Sequence, residues 1–178
     1  MSWKQATSWI VLFALLTVVG LGDLELLPHG KDPALTAGAS VTARVRRVVD
    51  GDTVVVSLDR ANAQRTLRYI GVDTPETVKP GEPPQCFGKA ASNFNRRLVE
   101  GERVHLEVGR EAFDRYGRLL AYVRLVDPPA TFVNAELMAR GYARTLAIPP
   151  NTKFATRFAT LQRSARTRAF GLWRACRS

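Results

Sequence analysis

Two cysteines and two histidines are all that this chain of 178 residues contains. That scarcity excludes the four-ligand zinc sites built from Cys and His, a scaffold held by several disulfides, and a histidine-rich metal centre. Any bound metal must be held mainly by oxygen. Acidic residues are also short, 16 against 26 Lys and Arg, which leaves a net charge of +10. A polyanion is therefore the first partner class to weigh, either nucleic acid or an anionic membrane surface. Pro and Gly are not in excess and 46% of the residues are hydrophobic, which excludes a collagen-like repeat or a disordered basic tail. G-x-S-x-G, H-E-x-x-H and a helix-opening G-x-G-x-x-G are absent. The stretch from Gly81 to Ala90 only mimics a phosphate loop, with the wrong spacing and with Ala90 where a Ser or Thr would meet magnesium.

Charge is nearly missing from residues 1–22, where Lys4 is the single charged side chain. The 14 residues from Trp9 to Gly22 are almost wholly apolar, the length of an export-signal core and short for crossing a bilayer. Residues 1–22 read as a signal peptide or, if retained, an N-terminal membrane anchor with residues 6–22 as the tether. Residues 23–39, with Pro28, Gly30, Pro33 and Gly38, read as a linker. Residues 40–176 read as the globular domain. Alternating apolar positions there predict strands over 41–49, 53–58, 65–72, 103–108 and 118–126. Helical spacing marks 88–100, 132–140 and 153–170, the second stopped by Gly141 and the third by Gly171. The predicted class is α+β, a five-stranded oligonucleotide-binding (OB-fold) β barrel with three helices. The last helix carries Lys153, Arg157, Arg163, Arg166 and Arg168, with no acid from Asn151 to Ser178. Solvated helices usually mix signs, so this one predicts a polyanion-facing surface.

The scarce carboxylates cluster. Asp50-Gly51-Asp52-Thr53 and Asp73-Thr74-Pro75-Glu76 each follow a predicted strand. Either group alone reads as a turn. Together, Asp52, Asp73, a Thr74 oxygen and Glu76 form a hard-oxygen set suited to Ca2+, with room left for water and phosphate oxygen. Arg68 lies on the strand before the second group, and Arg118 follows the turn Asp114-Arg115-Tyr116-Gly117. Phosphodiester hydrolysis needs these parts: a carboxylate to orient or deprotonate water, and fixed cations to meet the charge that grows on the phosphate.

The segments VVDGDTVVV, LRYIGVDTPE, FGKAAS, DRYGRLLAYV, VNAELMARGYA, PPNT and GLW, in this order from about Val41 to Trp173, resemble the staphylococcal nuclease (thermonuclease-like) family. The resemblance implies the barrel with three helices and calcium-dependent cleavage of DNA and RNA to 3′-phosphorylated products. It implies Asp52, Asp73 and the Thr74 carbonyl as calcium ligands and Arg68, Glu76 and Arg118 as catalytic residues. It further implies Asp50 behind the metal and Tyr116 on a terminal phosphate of the nucleotide. One departure stands out: Thr145-Leu146-Ala147-Ile148-Pro149-Pro150 offers no aromatic where the founding member has a second stacking tyrosine. Stacking contributes about 1–3 kcal/mol per base in single-strand binders, so affinity or base preference is expected to differ.

Two rival readings leave more of the sequence unexplained. A non-catalytic OB-fold nucleic-acid-binding protein would have no need of carboxylates facing a phosphate, which they repel unless a cation intervenes. A membrane-surface protein leaves the carboxylates and arginines unused. The resulting expectation is an exported monomeric nuclease acting on DNA and RNA, with single strands preferred. Export in turn predicts a Cys86–Cys176 disulfide, because two cysteines allow one intramolecular pairing and the thiols would mature where disulfides persist.

Overall fold

The computed structural model describes residues 35–60, 63–77, 81, 83–128 and 131–176. The signal or anchor expected over 1–22, and the linker expected over 23–39 up to residue 34, lie outside the described residues. Among the described residues no helix is long and apolar enough to cross a membrane.

The elements run β1 (Ser40–Asp50), β2 (Thr53–Leu58), β3 (Gln64–Tyr69), β4 (Gly71–Asp73), α1 (Gly88–Val99), β5 (Arg103–Phe113), β6 (Leu119–Leu125), α2 (Val133–Ala139), β7 (Arg144–Leu146), α3 (Ala155–Thr167) and α4 (Leu172–Ala175). Strands β1, β2, β3, β6 and β5 close, in that order, into the expected five-stranded barrel. All neighbours are antiparallel except β3 and β6. Closure removes the exposed edges that a small open sheet would leave. Alternation fills the interior with Val45, Val54, Val56, Leu67, Leu106 and Leu119, all essentially inaccessible. At one end Tyr122, Phe132, Phe154 and Phe158 pack edge to face and tilted, sealing the barrel beneath α3.

Two differences from the sequence reading shape the site. The strand expected over 65–72 breaks after Tyr69. The Ile70 amide bonds to Ala121, its carbonyl accepts from Asn134 Nδ2 at 2.8 Å, and Gly71 turns away at φ 81°. A Cβ at Gly71 would also sit 2.6 Å from the Phe158 ring, so only glycine fits. The rest becomes β4, which pairs with the unforeseen β7 in a small sheet of its own. The helix expected over 153–170 also ends early, at Thr167, and the four-residue α4 follows beyond Ala169 and Gly171, both at positive φ. At the other end of the domain Leu35 is buried in the core and Gly38 bonds to Val108 at 3.2 Å, so residues 35–39 pack on the barrel.

Candidate active site

The turn between β1 and β2 carries Asp50 and Asp52 back to back, with glycine between them for a steric reason. A Cβ on Gly51 would lie 2.5–2.8 Å from the Thr74 side chain. That close approach lets Asp52 Oδ2 accept both the Thr74 amide (2.8 Å) and its hydroxyl (3.0 Å). Oδ1 accepts the Thr53 hydroxyl at 3.1 Å. The β2–β3 register sets Arg68 opposite Thr53, which brings its guanidinium onto Asp52 in a close ion pair. The same guanidinium reaches Asp73 Oδ1 at 2.9 Å. One cation thus bridges the two carboxylates predicted as metal ligands. Burial opposes the charge on Arg68, but Asp52 and Asp73 outweigh it and raise its affinity for the proton.

Behind this pair Asp50 is buried and accepts from Thr77 Oγ1 at 2.7 Å and the Gly51 amide at 2.7 Å. Burial, reinforced by a hydrogen bond with the Glu76 side chain, pushes its pKa up from 3.8 to about 7. Asp50 therefore keeps its proton up to near neutrality, beside the Glu76 side chain. Glu76 also accepts the Thr77 amide at 3.0 Å on Oε1. Its backbone is clamped by Gln85, which accepts the Glu76 amide at 3.0 Å and donates its own amide to the Glu76 carbonyl at 2.9 Å. Asn95 of α1 accepts from the buried Tyr69 hydroxyl at 3.1 Å and donates to the Asp50 carbonyl at 3.1 Å, fixing the acidic turn to helix and barrel.

Arg118 arrives from the start of β6. Asp114 Oδ2 accepts its Nε at 2.6 Å, while Oδ1 caps the Arg118 and Tyr116 amides, each at 2.9 Å. Tyr116 projects from this turn, 66% exposed, with Arg115 and Arg118 against its ring.

All the predicted residues except Tyr116 line one depression of about 370 Å³, among them Asp52, Arg68, Asp73, Thr74, Glu76 and Arg118. A second, of about 480 Å³, shares Arg68 and Arg118 with it and is walled by Tyr116, Leu120, Leu146 and Ile148. Leu146 and Ile148 give this wall an aliphatic face. With four carboxyl groups against two guanidinium groups, the smaller depression carries excess negative charge even with Asp50 protonated. A phosphate would be repelled unless a hard cation joined it. The donor set fits Ca2+: two convergent carboxylates and an adjacent backbone carbonyl. Among the described residues no three His, Cys, Asp or Glu side chains gather at one point, so water and substrate oxygen would complete such a shell. Sequence reasoning missed Thr77, Gln85 and Asn95 and did not assign Asp114 a partner, because its pairing with Arg118 depends on the turn that joins β5 to β6.

The profile of the family described as "Staphylococcal nuclease homologue" matches residues 66–175. The thermonuclease of Staphylococcus intermedius is 38% identical over 173 residues, covering 96% of this chain and 98% of its own length. That of Staphylococcus hyicus is 38% identical over 170 residues with the same coverage. Endonuclease YncB of Bacillus subtilis is 36% identical over 148 residues, 82% of this chain and 66% of its own.

Proposed function

The chain belongs to the staphylococcal nuclease family and is a nuclease, and from that premise we propose a calcium-dependent enzyme, exported and monomeric, that cuts DNA and RNA to 3′-phosphorylated products and prefers single strands. The observation that carries this reading is the depression in which Glu76, Arg68 and Arg118 face the Asp52–Asp73 pair. Asp52, Asp73 and the Thr74 carbonyl would hold Ca2+, which supplies positive charge to a bound phosphate. Glu76 orients the attacking water and draws its proton, with Asp50 behind it able to share that proton. Arg118, held by Asp114, presents its remaining N–H groups to the phosphate, and Arg68 meets the same group from the other side. Tyr116 stands at the rim for a terminal phosphate.

Digestion of single-stranded DNA and RNA with calcium, with magnesium and with a chelator tests the metal. Calcium should support cleavage and chelation abolish it. Glu76→Gln should lose about 10²–10⁴-fold in kcat. Arg118→Lys should fail as well, because a point charge cannot replace the planar fork. Near-normal rates in both variants would overturn the assigned roles.

A further inference from the structure

Nearly all of the excess positive charge lies in one part of the chain. From Leu137 to Ser178 there are nine Lys and Arg and no Asp or Glu, while residues 1–136 hold 17 Lys and Arg against 16 Asp and Glu. Among the described residues Arg144, Arg157, Arg163, Arg166, Arg168 and Arg174 make no ion pair. Exposed cations of one sign without a carboxylate partner repel, and the fold offers some of them aromatic rings in place of acids.

Their arrangement is ordered around aromatic rings. Arg144 and Arg166 stand over Trp173 with guanidinium carbons 5.4 and 5.7 Å from its ring. Stacking on an aromatic ring uses none of the N–H donors of an arginine, so both groups are oriented while their donors remain available for phosphate. Beside them a depression of about 630 Å³ is lined by Phe87, Tyr142, Phe170, Arg140 and Arg174. Phe170 is 45% exposed at this depression. The surface also has a defined starting point. In the β4–β7 sheet Arg144 is the direct cross-strand neighbour of Asp73, so the basic track begins at the edge of the catalytic depression and leads away from it.

We propose that this surface is a second nucleic-acid site, on which a single strand leaving the catalytic depression runs past Arg144 and Arg166 to stack on Phe170 beside Arg174. Continuity with the cleft selects a strand over a lipid surface. The inference takes from the nuclease assignment only the identity of the occupant.

The full chain carrying Glu76→Gln to suppress cleavage is titrated, with calcium present, with single-stranded DNA of three and of about 12 nucleotides, a length within the range one such barrel covers. A gel confirms that the strands stay intact, and residual cleavage there would count against the role of Glu76 alone. Binding of the longer strand should show the steeper salt dependence, and adding Arg144→Ala/Arg166→Ala/Arg174→Ala should cut that slope by about 2, at roughly 0.7 per lost phosphate contact. The trinucleotide's affinity should not change. Arg144→Lys/Arg166→Lys/Arg174→Lys, which keeps the charge with less perturbation, should retain most of the slope. Phe170→Ala should weaken the longer strand alone. Equal salt slopes for both strands with the basic track unaltered would overturn the proposal. So would loss of binding to phosphatidylglycerol vesicles in the Ala triple variant with strand binding intact, which would make the face a membrane surface.

Discussion

Asp114 shows how far a single side chain reaches into the site. Its two oxygens divide their work, one aiming Arg118 through Nε and the other closing the turn that presents Tyr116. Asp114→Ala should therefore lower kcat/KM by about 10-fold or more through misplacement of Arg118. Asp114→Asn, which keeps an acceptor for the turn, should lose less, and steady-state kinetics on a short oligonucleotide separates the two. Asp50 gives a second expectation. Its folded pKa of about 7 lies above the ordinary 3.8, so the native state binds the proton more tightly than the unfolded chain. The stability it contributes is complete below pH 4 and is lost as pH rises through 7. Measured in chelator, the unfolding free energy of the natural protein relative to Asp50→Asn should fall between pH 4 and pH 8, and a constant difference would refute the shift. The candidate residues could be picked out at this scale because carboxylates are few and each candidate sits beside a turn. Gln85 and Asn95 were not, because a neutral amide gives no sign in sequence of which distant backbone it will bind.

Elements decide where those residues meet. The Cys86–Cys176 disulfide has a Cα separation of 5.9 Å and joins the residue after the Gln85 clamp to the end of α4, 90 positions away. Sequence predicted that pairing from the even count of cysteines. It could not show that the bond stands next to the loop holding Glu76. Cys86→Ser/Cys176→Ser should lose about 4–5 kcal/mol of stability by the chain-entropy model, read as a lower midpoint of denaturation. Gln85→Ala with the disulfide intact should instead lower kcat with little change in that midpoint, since it releases Glu76 and leaves the cross-link alone. Strands were legible where alternation is strict, as in β5, and illegible where tertiary contacts override it. The break between β3 and β4 depends on Phe158 filling the space at Gly71 and on Asn134 taking the Ile70 carbonyl, partners 64 and more residues away. Strand β7 has only three residues and reads as loop until β4 is there to pair with it.

At the scale of the whole molecule, barrel, acidic turns and arginines were recoverable because ordered motifs from Val41 to Trp173 constrain one another, so a chance reading of any one is corrected by the rest. The position of the positive charge was only partly legible: the acid-free tail is plain in sequence, but its approach to Asp73 requires the β4–β7 pairing. Export, as proposed above, also belongs to the scale of the whole chain. A nuclease of broad specificity retained in the cytoplasm would reach the cell's own nucleic acid, and a disulfide of this kind persists where the surroundings are oxidising. The apolar run from Trp9 to Gly22, preceded by one lysine and followed by Asp23, has the sequence pattern of a matching address. Two features thus support an outward location, the Cys86–Cys176 bond and the N-terminal segment, and the proposed substrate range agrees with them. In the native organism the protein should be found outside the cytoplasm, with neither cysteine open to alkylation before reduction. An N-terminus beginning near Asp23 would mark a cleaved signal, and one beginning at Met1 in the membrane fraction a retained anchor. Soluble cytoplasmic protein starting at Met1 with two free thiols would contradict the proposal of export, because one measurement would then remove both the address and the oxidising compartment that the disulfide requires.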